Sequence, residues 1–353
     1  MNAKERKDTL RCAGGFIAWM IGPGFATGQE ILQFYSSCGW WSFGVLALTL
    51  AGFLFLGITL LGRGFDHKEK PDFAHFRFYC GGPVGKIYGV VIPVTLVLLI
   101  SVLISAAGAT LEQYFGIDRY FGSCLMAALI LAAYLIGFEK MVKLISSIGP
   151  VIIAFVIFVG CFTVFRDAER LPQIGETSAV LADAQAAPHW ILSALLYLSL
   201  NFFCGSTYYT ELGRSAVSRR SAVTGAVLGT AALLVTMLLM NVSILLHAEE
   251  IVSLSVPTLF LAEQISGIFG AVFSVVLVCG MFSSCSTMMW SFCSRFFRRN
   301  RKKNAWFSTG AVLFCTLLGF FPFGDLVSVV YPLIGYAGLY FIGCAVYQGL
   351  KKT

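Results

Sequence analysis

Charge is scarce in this sequence. Asp, Glu, Lys and Arg make up 12% of its 353 residues and apolar residues 58%, and the mean hydropathy is +0.81. A soluble domain carries about a quarter charged residues, so an ordinary water-soluble architecture is excluded. Histidine is scarcer still. His67, His75, His189 and His247 fall in different segments, and none of the 11 cysteines forms a Cys-x-x-Cys pair. Metal-ligand spacing and thiol redox motifs are therefore both missing. Nucleotide signatures are missing too. Gly81-Gly-Pro-Val-Gly85-Lys86 has the wrong spacing for a P-loop and is followed by Ile87 where a hydroxyl is required. Gly22-Pro-Gly24-Phe-Ala-Thr-Gly28 is one residue too long for a dinucleotide fingerprint. No enzyme motif and no nucleotide-driven pump is encoded, and no charged ring or repeated filter motif suggests a channel.

What is present is hydrophobic length. Ten apolar stretches, 11–36, 39–62, 86–112, 121–138, 143–165, 190–212, 221–246, 266–297, 305–321 and 326–348, are each read as a membrane-spanning helix. The fold class is all-α, one polytopic membrane domain over 1–353. The first stretch is too long for a signal peptide, contains Gln29 and Glu30, and lacks a small-x-small cleavage site. Between alternate stretches lie 22 of the 25 basic residues, and only Arg119, Arg166 and Arg170 lie on the other side. This is the positive-inside pattern, and it predicts a multi-pass protein of the plasma membrane with both termini cytoplasmic. The net charge of +7 and the basic run 295–303 are thus a topology anchor, with no nucleic-acid partner expected.

The acidic, polar segment 166–189 reads as a solvated external connector. It divides the chain into 11–165 and 190–348 with five spans each, and five is odd, so the second half enters the membrane inverted. Within the first span, Gly22, Pro23, Gly24 and Gly28 make an unbroken helix improbable. Such a break persists in lipid only where protein or a cavity satisfies the freed backbone, which in transporters is the binding site. The repeat predicts a matching break in the sixth span, around Asn201 to Thr207. Ten helical residues cross half a core of about 30 Å. Counted from Arg11, Arg214 and Arg295, both breaks and the cluster Ser283, Ser284, Ser286 and Thr287 reach the midplane.

Half-helix ends carry partial charge, carbonyls favouring cations and N–H groups favouring anions. Thr27-x-x-Glu30 fits a capping box for the outer half of the first span, and Ser206 or Thr207 can cap the inner half of the sixth. Glu30 has three readings, as that cap, as a gate, or as a proton acceptor. Substrate contacts are expected from Gly22, Gly24, Phe25, Ala26, Thr27, Asn201, Phe203, Cys204, Gly205 and Ser206, with Ser101, Ser105 and Gly108 of the third span alongside. Amide groups around a small cavity suit a carboxylate, hence an amino acid or related organic acid.

The block Gly22-Pro-Gly-Phe-Ala-Thr-Gly-Gln-Glu-Ile-Leu-Gln-Phe34 resembles the signature of the YkvI-like bacterial membrane proteins, where Gly-Ala-Gly-Phe-Ala-Ser-Gly-Gln-Glu is usual; Pro23 is the departure. Length and span layout agree over essentially the whole chain. The resemblance implies a place among the amino acid–polyamine–organocation transporters, a bacterial inner membrane, and a LeuT-type five-plus-five fold with helices one and six discontinuous. In sodium symporters of that fold, carbonyls before the first break meet span-eight hydroxyls. The similar pattern here makes Ala18, Ile21, Ser283, Ser286 and Thr287 a candidate Na+ site, oxygen ligands suiting a hard cation; close helix packing is the competing reading of those small residues. The implied function is a secondary transporter of a small solute by alternating access, coupled to Na+ or H+, with no other cofactor. The alternative is a membrane receptor of the same fold that senses a ligand without moving it.

Overall fold

The structure is a computed structural model that describes residues 3–69, 75–136, 148–293 and 301–351. The expected span ends within 137–147, Lys140 and Lys143, and most of the basic run at 294–300 lie outside the described residues. Among the described residues every regular element is helical. In order these are α1 (Ala3–Met20), α2 (Pro23–Ala26), α3 (Gln29–Phe34), α4 (Ser42–Asp66), α5 (His75–Phe115), α6 (Arg119–Ile136), α7 (Ile148–Arg166), α8 (Ile174–Thr177), α9 (Trp190–Arg214), α10 (Arg219–Leu246), α11 (Ala248–Ile251), α12 (Pro257–Glu263), α13 (Gly267–Cys293), α14 (Arg301–Gly319) and α15 (Phe323–Leu350). Six described helical stretches, Ser36–Asp66, His75–Phe115, Trp190–Arg214, Arg219–Leu246, Gly267–Cys293 and Phe323–Leu350, are long and apolar enough to cross a membrane. Shorter apolar helices lie at Arg119–Leu135 and Pro150–Arg166.

The helices pack as two groups. In one, α4 packs on α9 and α10, and α1 on α10 and α9; in the other, α5, α6, α13 and α14 pack together. Helix α7 reaches α10 and α13, and α15 reaches α4, α5 and α9. With α1–α3 counted as the first span, these pairings recur when five is added to each span number. The second span meets the sixth as the seventh meets the first, and the fifth meets the eighth as the tenth meets the third.

Glycine permits the tightest of these contacts. A Cβ at Gly213 would fall against the Leu61 carbonyl oxygen and one at Gly64 against that of Thr210, both well under 3.0 Å, so the backbones of α4 and α9 touch directly.

Two faces follow from the contacts. On the face bearing both termini, Arg11 donates to the Ser215 carbonyl at 2.9 Å, Arg63 to that of Gln348 at 2.6 Å, and Arg219 pairs with Asp66. Here Asp8 is buried and accepts from Val217 N and the Ser221 hydroxyl while pairing with Arg11. On the opposite face the 166–189 segment is more than a solvated connector. It is wound into short helices that bury Ile174 and Leu181, and Ala187 beyond them is buried as well. Ala186 N donates to the Gln33 carbonyl and Gln185 to that of Ser37, tying the segment to the end of the first span.

Candidate functional site

The first span is broken twice. Helix α1 stops at Met20, Ile21 and Gly22 are non-helical, and α2 opens on Pro23. A residue before proline avoids the helical region, while proline itself suits the first helical position. The second break is at Gly28, whose φ of 85° is left-handed and open to glycine at little cost. The freed carbonyls are not left in lipid. Thr258 of α12 donates from its hydroxyl to Ala26 O and from its backbone N–H to Thr27 O. Gln29 donates to Leu254 O at 2.8 Å, and Gln113 of α5 exchanges two hydrogen bonds with Val256. The 254–258 segment of the opposite face thus closes over the break and supplies the partners that an interrupted membrane helix requires.

The matching break in the sixth span is absent. Helix α9 runs from Trp190 to Arg214 without interruption, and Gly205 has no positive φ. One glycine costs a helix about 1 kcal/mol, and this span has no proline to force an opening. The Ser206 hydroxyl donates to Phe203 O within the helix instead of capping a new one. The capping box at Thr27 is absent too. Gly28 occupies the cap position of α3 with no side-chain cap, and Thr27 donates to Gly24 O at 2.6 Å.

Glu30, released from capping, turns inward. It is 9% exposed and accepts from the Tyr197 hydroxyl at 3.1 Å, and Tyr331 lines the same cavity beside it. A Cβ at Gly24 would lie 2.5 Å from Glu30 Oε1 and 2.7 Å from Tyr331 Oη. The close approach of backbone, carboxyl and phenol therefore needs glycine there.

Beside this cluster lies a cavity of about 300 Å³. Its walls are Ala18, Trp19, Met20, Gly22, Gly24 and Glu30 of the first span, Leu99 and Leu103 of α5, and Leu200, Asn201, Cys204 and Tyr208 of α9. Ser283, Ser284, Thr287 and Met288 of α13 and Tyr331 of α15 complete it. Of the expected substrate contacts it therefore gathers Gly22, Gly24, Asn201 and Cys204, together with Glu30. Of the expected cation ligands it gathers Ala18, Ser283 and Thr287.

The others lie elsewhere. Phe25, Ala26 and Thr27 are buried in the packing around the break. Ser101 donates to Val97 O within its helix and Ser105 to Phe321 O. Gly108 packs against the backbone of Arg119. Phe203 packs at tilted and edge-on angles among Phe76, Tyr88 and Phe341, and Gly205 lies beneath the Trp19 indole. Ser206 also meets the His75 ring. Ile21 is 2% exposed, and Ser286 is buried with its hydroxyl unpartnered.

Sequence reasoning missed Trp19, Tyr197 and Tyr331, and the apolar lining residues Met20, Leu99, Leu103, Leu200 and Met288. Trp19 stacks on Tyr208 with ring centres 5.2 Å apart, and Tyr208 donates to Gly15 O. The aromatic character of both was visible, but their partners come from other spans. Among the described residues no three His, Cys, Asp or Glu side chains converge as a metal site.

On the opposite face His247 contacts Asp167 at 3.0 Å and Glu250 at 3.6 Å, and Arg170 pairs with Glu250. Burial alone would raise the Asp167 carboxyl, but hydrogen bonds from Arg166 and His247 outweigh it and hold it below the usual carboxylate range. Glu250 is likewise held down by hydrogen bonds and by Arg170 against the effect of its partial burial.

No family model matches the chain. YkvI, an uncharacterized membrane protein of Bacillus subtilis (strain 168), is 24% identical over 342 residues, 93% of this chain and 92% of that one. This chain is a homologue of YkvI. Among solved structures it is similar to MhsT in complex with L-phenylalanine, with a TM-score of 0.56, 15% identity, and coverage of 92% of this chain and 87% of MhsT. It is also similar to a mutant of the Eremococcus coleocola manganese transporter, with a TM-score of 0.54, 13% identity, and coverage of 95% and 77%. Both neighbours are LeuT-fold transporters. The YkvI homologue is thus a multi-pass membrane protein of LeuT-type fold, all-helical in its described residues.

Proposed function

We propose that this YkvI homologue is a secondary active transporter of one small organic solute of amino-acid size. The observation that carries this reading is the cavity at the first-span break. It is walled by helices of both packing groups, so a rotation of one group against the other exposes it to alternate faces. Its volume stands at the lower end of the roughly 300–1,000 Å³ range of ligand pockets, which suits a single small solute. The recurrent helix pairings support ten spans in two inverted repeats, and the 22-to-3 distribution of basic residues supports a cytoplasmic terminal face. In the conformation described, the 254–258 segment covers the opposite side of the break, which fits a state open toward the terminal face.

Na+ coupling is supported by Ala18 of α1 and Ser283 and Thr287 of α13, which line the same cavity, with Ser286 next to Thr287 in the chain. H+ coupling is supported by Glu30, the carboxyl that lines the same cavity. Purified protein in proteoliposomes is expected to accumulate labelled amino-acid-sized solutes under an imposed Na+ or H+ gradient. Binding without uptake under either gradient would replace the transporter with a receptor.

A further inference from the structure

We propose that the charge read by this cavity is positive, the solute being held by an ammonium group against Glu30 with its apolar body along Trp19, Leu99, Leu103 and Met288. This deepens the transport reading and rests on it. The anion-binding expectation needed amide ends from two broken helices. The continuous α9 removes one pair of ends, and the remaining inner fragment, α2, has four residues. Among the described residues no Lys, Arg or His lines the cavity, so a solute carboxylate meets no charged partner there.

The negative features, by contrast, converge. Glu30 is nine-tenths buried and lines the cavity. Its hydrogen-bond donor is a phenol, the Tyr197 hydroxyl at 3.1 Å, a neutral group that brings no charge to cancel the carboxylate's. No basic side chain pairs with it among the described residues. The 18-residue α1 ends at Met20 with its negative dipole end at the cavity wall, and the carbonyls of Ala18, Trp19 and Met20 have no further turn to pair with. An apolar cavity holding one carboxylate and a helix C-terminus calls for a cation with an apolar body.

The test compares solutes of one carbon skeleton that differ in charge: 2-phenylethylamine, L-phenylalanine and 3-phenylpropionate, and isoamylamine, L-leucine and 4-methylvalerate. Binding to purified full-length protein is measured by thermal shift and by displacement, and uptake in proteoliposomes, each with Na+ and with K+. The amine or amino acid is expected to bind at least tenfold tighter than the acid of its series. Glu30→Gln is expected to remove that preference, and Tyr331→Phe, which keeps the carboxylate, to retain it. Tighter binding of the acids, an undiminished amine preference in Glu30→Gln, or stabilisation by Na+ alone that depends on Glu30 with no amine effect would each overturn the proposal. Acid uptake with acid preference refutes the ammonium site and leaves transport standing. Glu30-dependent amine binding without uptake refutes transport and leaves the ammonium site standing. No binding by any of the six refutes the ammonium site.

Discussion

A single methyl group at Gly24 tests whether the Glu30 cluster governs the site. The Cβ of Gly24→Ala would stand 2.5 Å from Glu30 Oε1 and 2.7 Å from Tyr331 Oη, whereas ordinary contact begins at 3.4 Å. One or both groups must retreat by most of an ångström, which moves the carboxyl from the position in which the Tyr197 hydroxyl holds it. A hydrogen bond to a charged group contributes roughly 1.5–3 kcal/mol, so a solute engaging Glu30 should bind about ten- to a hundredfold more weakly. Gly14→Ala, on the same helix system with no atom within 4 Å of an added Cβ, is the control for expression and folding. Displacement of a bound solute is measured on monodisperse detergent-solubilised protein, with melting temperature recorded alongside. Wild-type affinity in Gly24→Ala would refute the reasoning, because it would mean that solute binding does not sense the carboxyl's position.

At the α4–α9 crossing, Gly213→Ala meets a backbone carbonyl that cannot retreat unless the helices part. A loss of about 1–3 kcal/mol or more is expected, read as a lower melting temperature; an unchanged one would show the crossing to be looser than described. Asp167 is held below the usual carboxylate range by Arg166 and His247. Its contribution is therefore complete above the unfolded value near about 3.9 and is lost as pH falls through the lower folded value. Asp167→Asn should melt below wild type at neutral pH, with the gap closing under about pH 4, and a pH-independent gap would refute this. For the sodium reading, Thr287→Ala should raise the Na+ concentration needed for half-maximal solute stabilisation by roughly tenfold. Unaltered Na+ dependence would remove Thr287 as a ligand.

The membrane class and the first-span break were legible in the sequence because both depend on covalent or composition-level constraints. Apolar length reports burial in lipid, and Pro23 between Gly22 and Gly24 disrupts a helix whatever surrounds it. The inward placement of Glu30 was legible on the same ground, a carboxyl in lipid being too costly to leave unpartnered. The sixth span was misread because Asn201, Gly205 and Ser206 allow an opening without requiring one. The helix stays closed with Asn201 donating to Tyr197 O and Ser206 to Phe203 O within their own turns, and that choice depends on the neighbours that pack against it, here Trp19 over Gly205. The Thr27–Glu30 capping pattern failed for the same kind of reason. The Tyr197 hydroxyl, 167 residues away in the chain, offers Glu30 a better partner than its local backbone. Local stereochemistry thus determined where the chain must break, and long-range packing alone decided which hydroxyls meet the carboxyl, which polar residues share the cavity, and hence the sign of charge it presents.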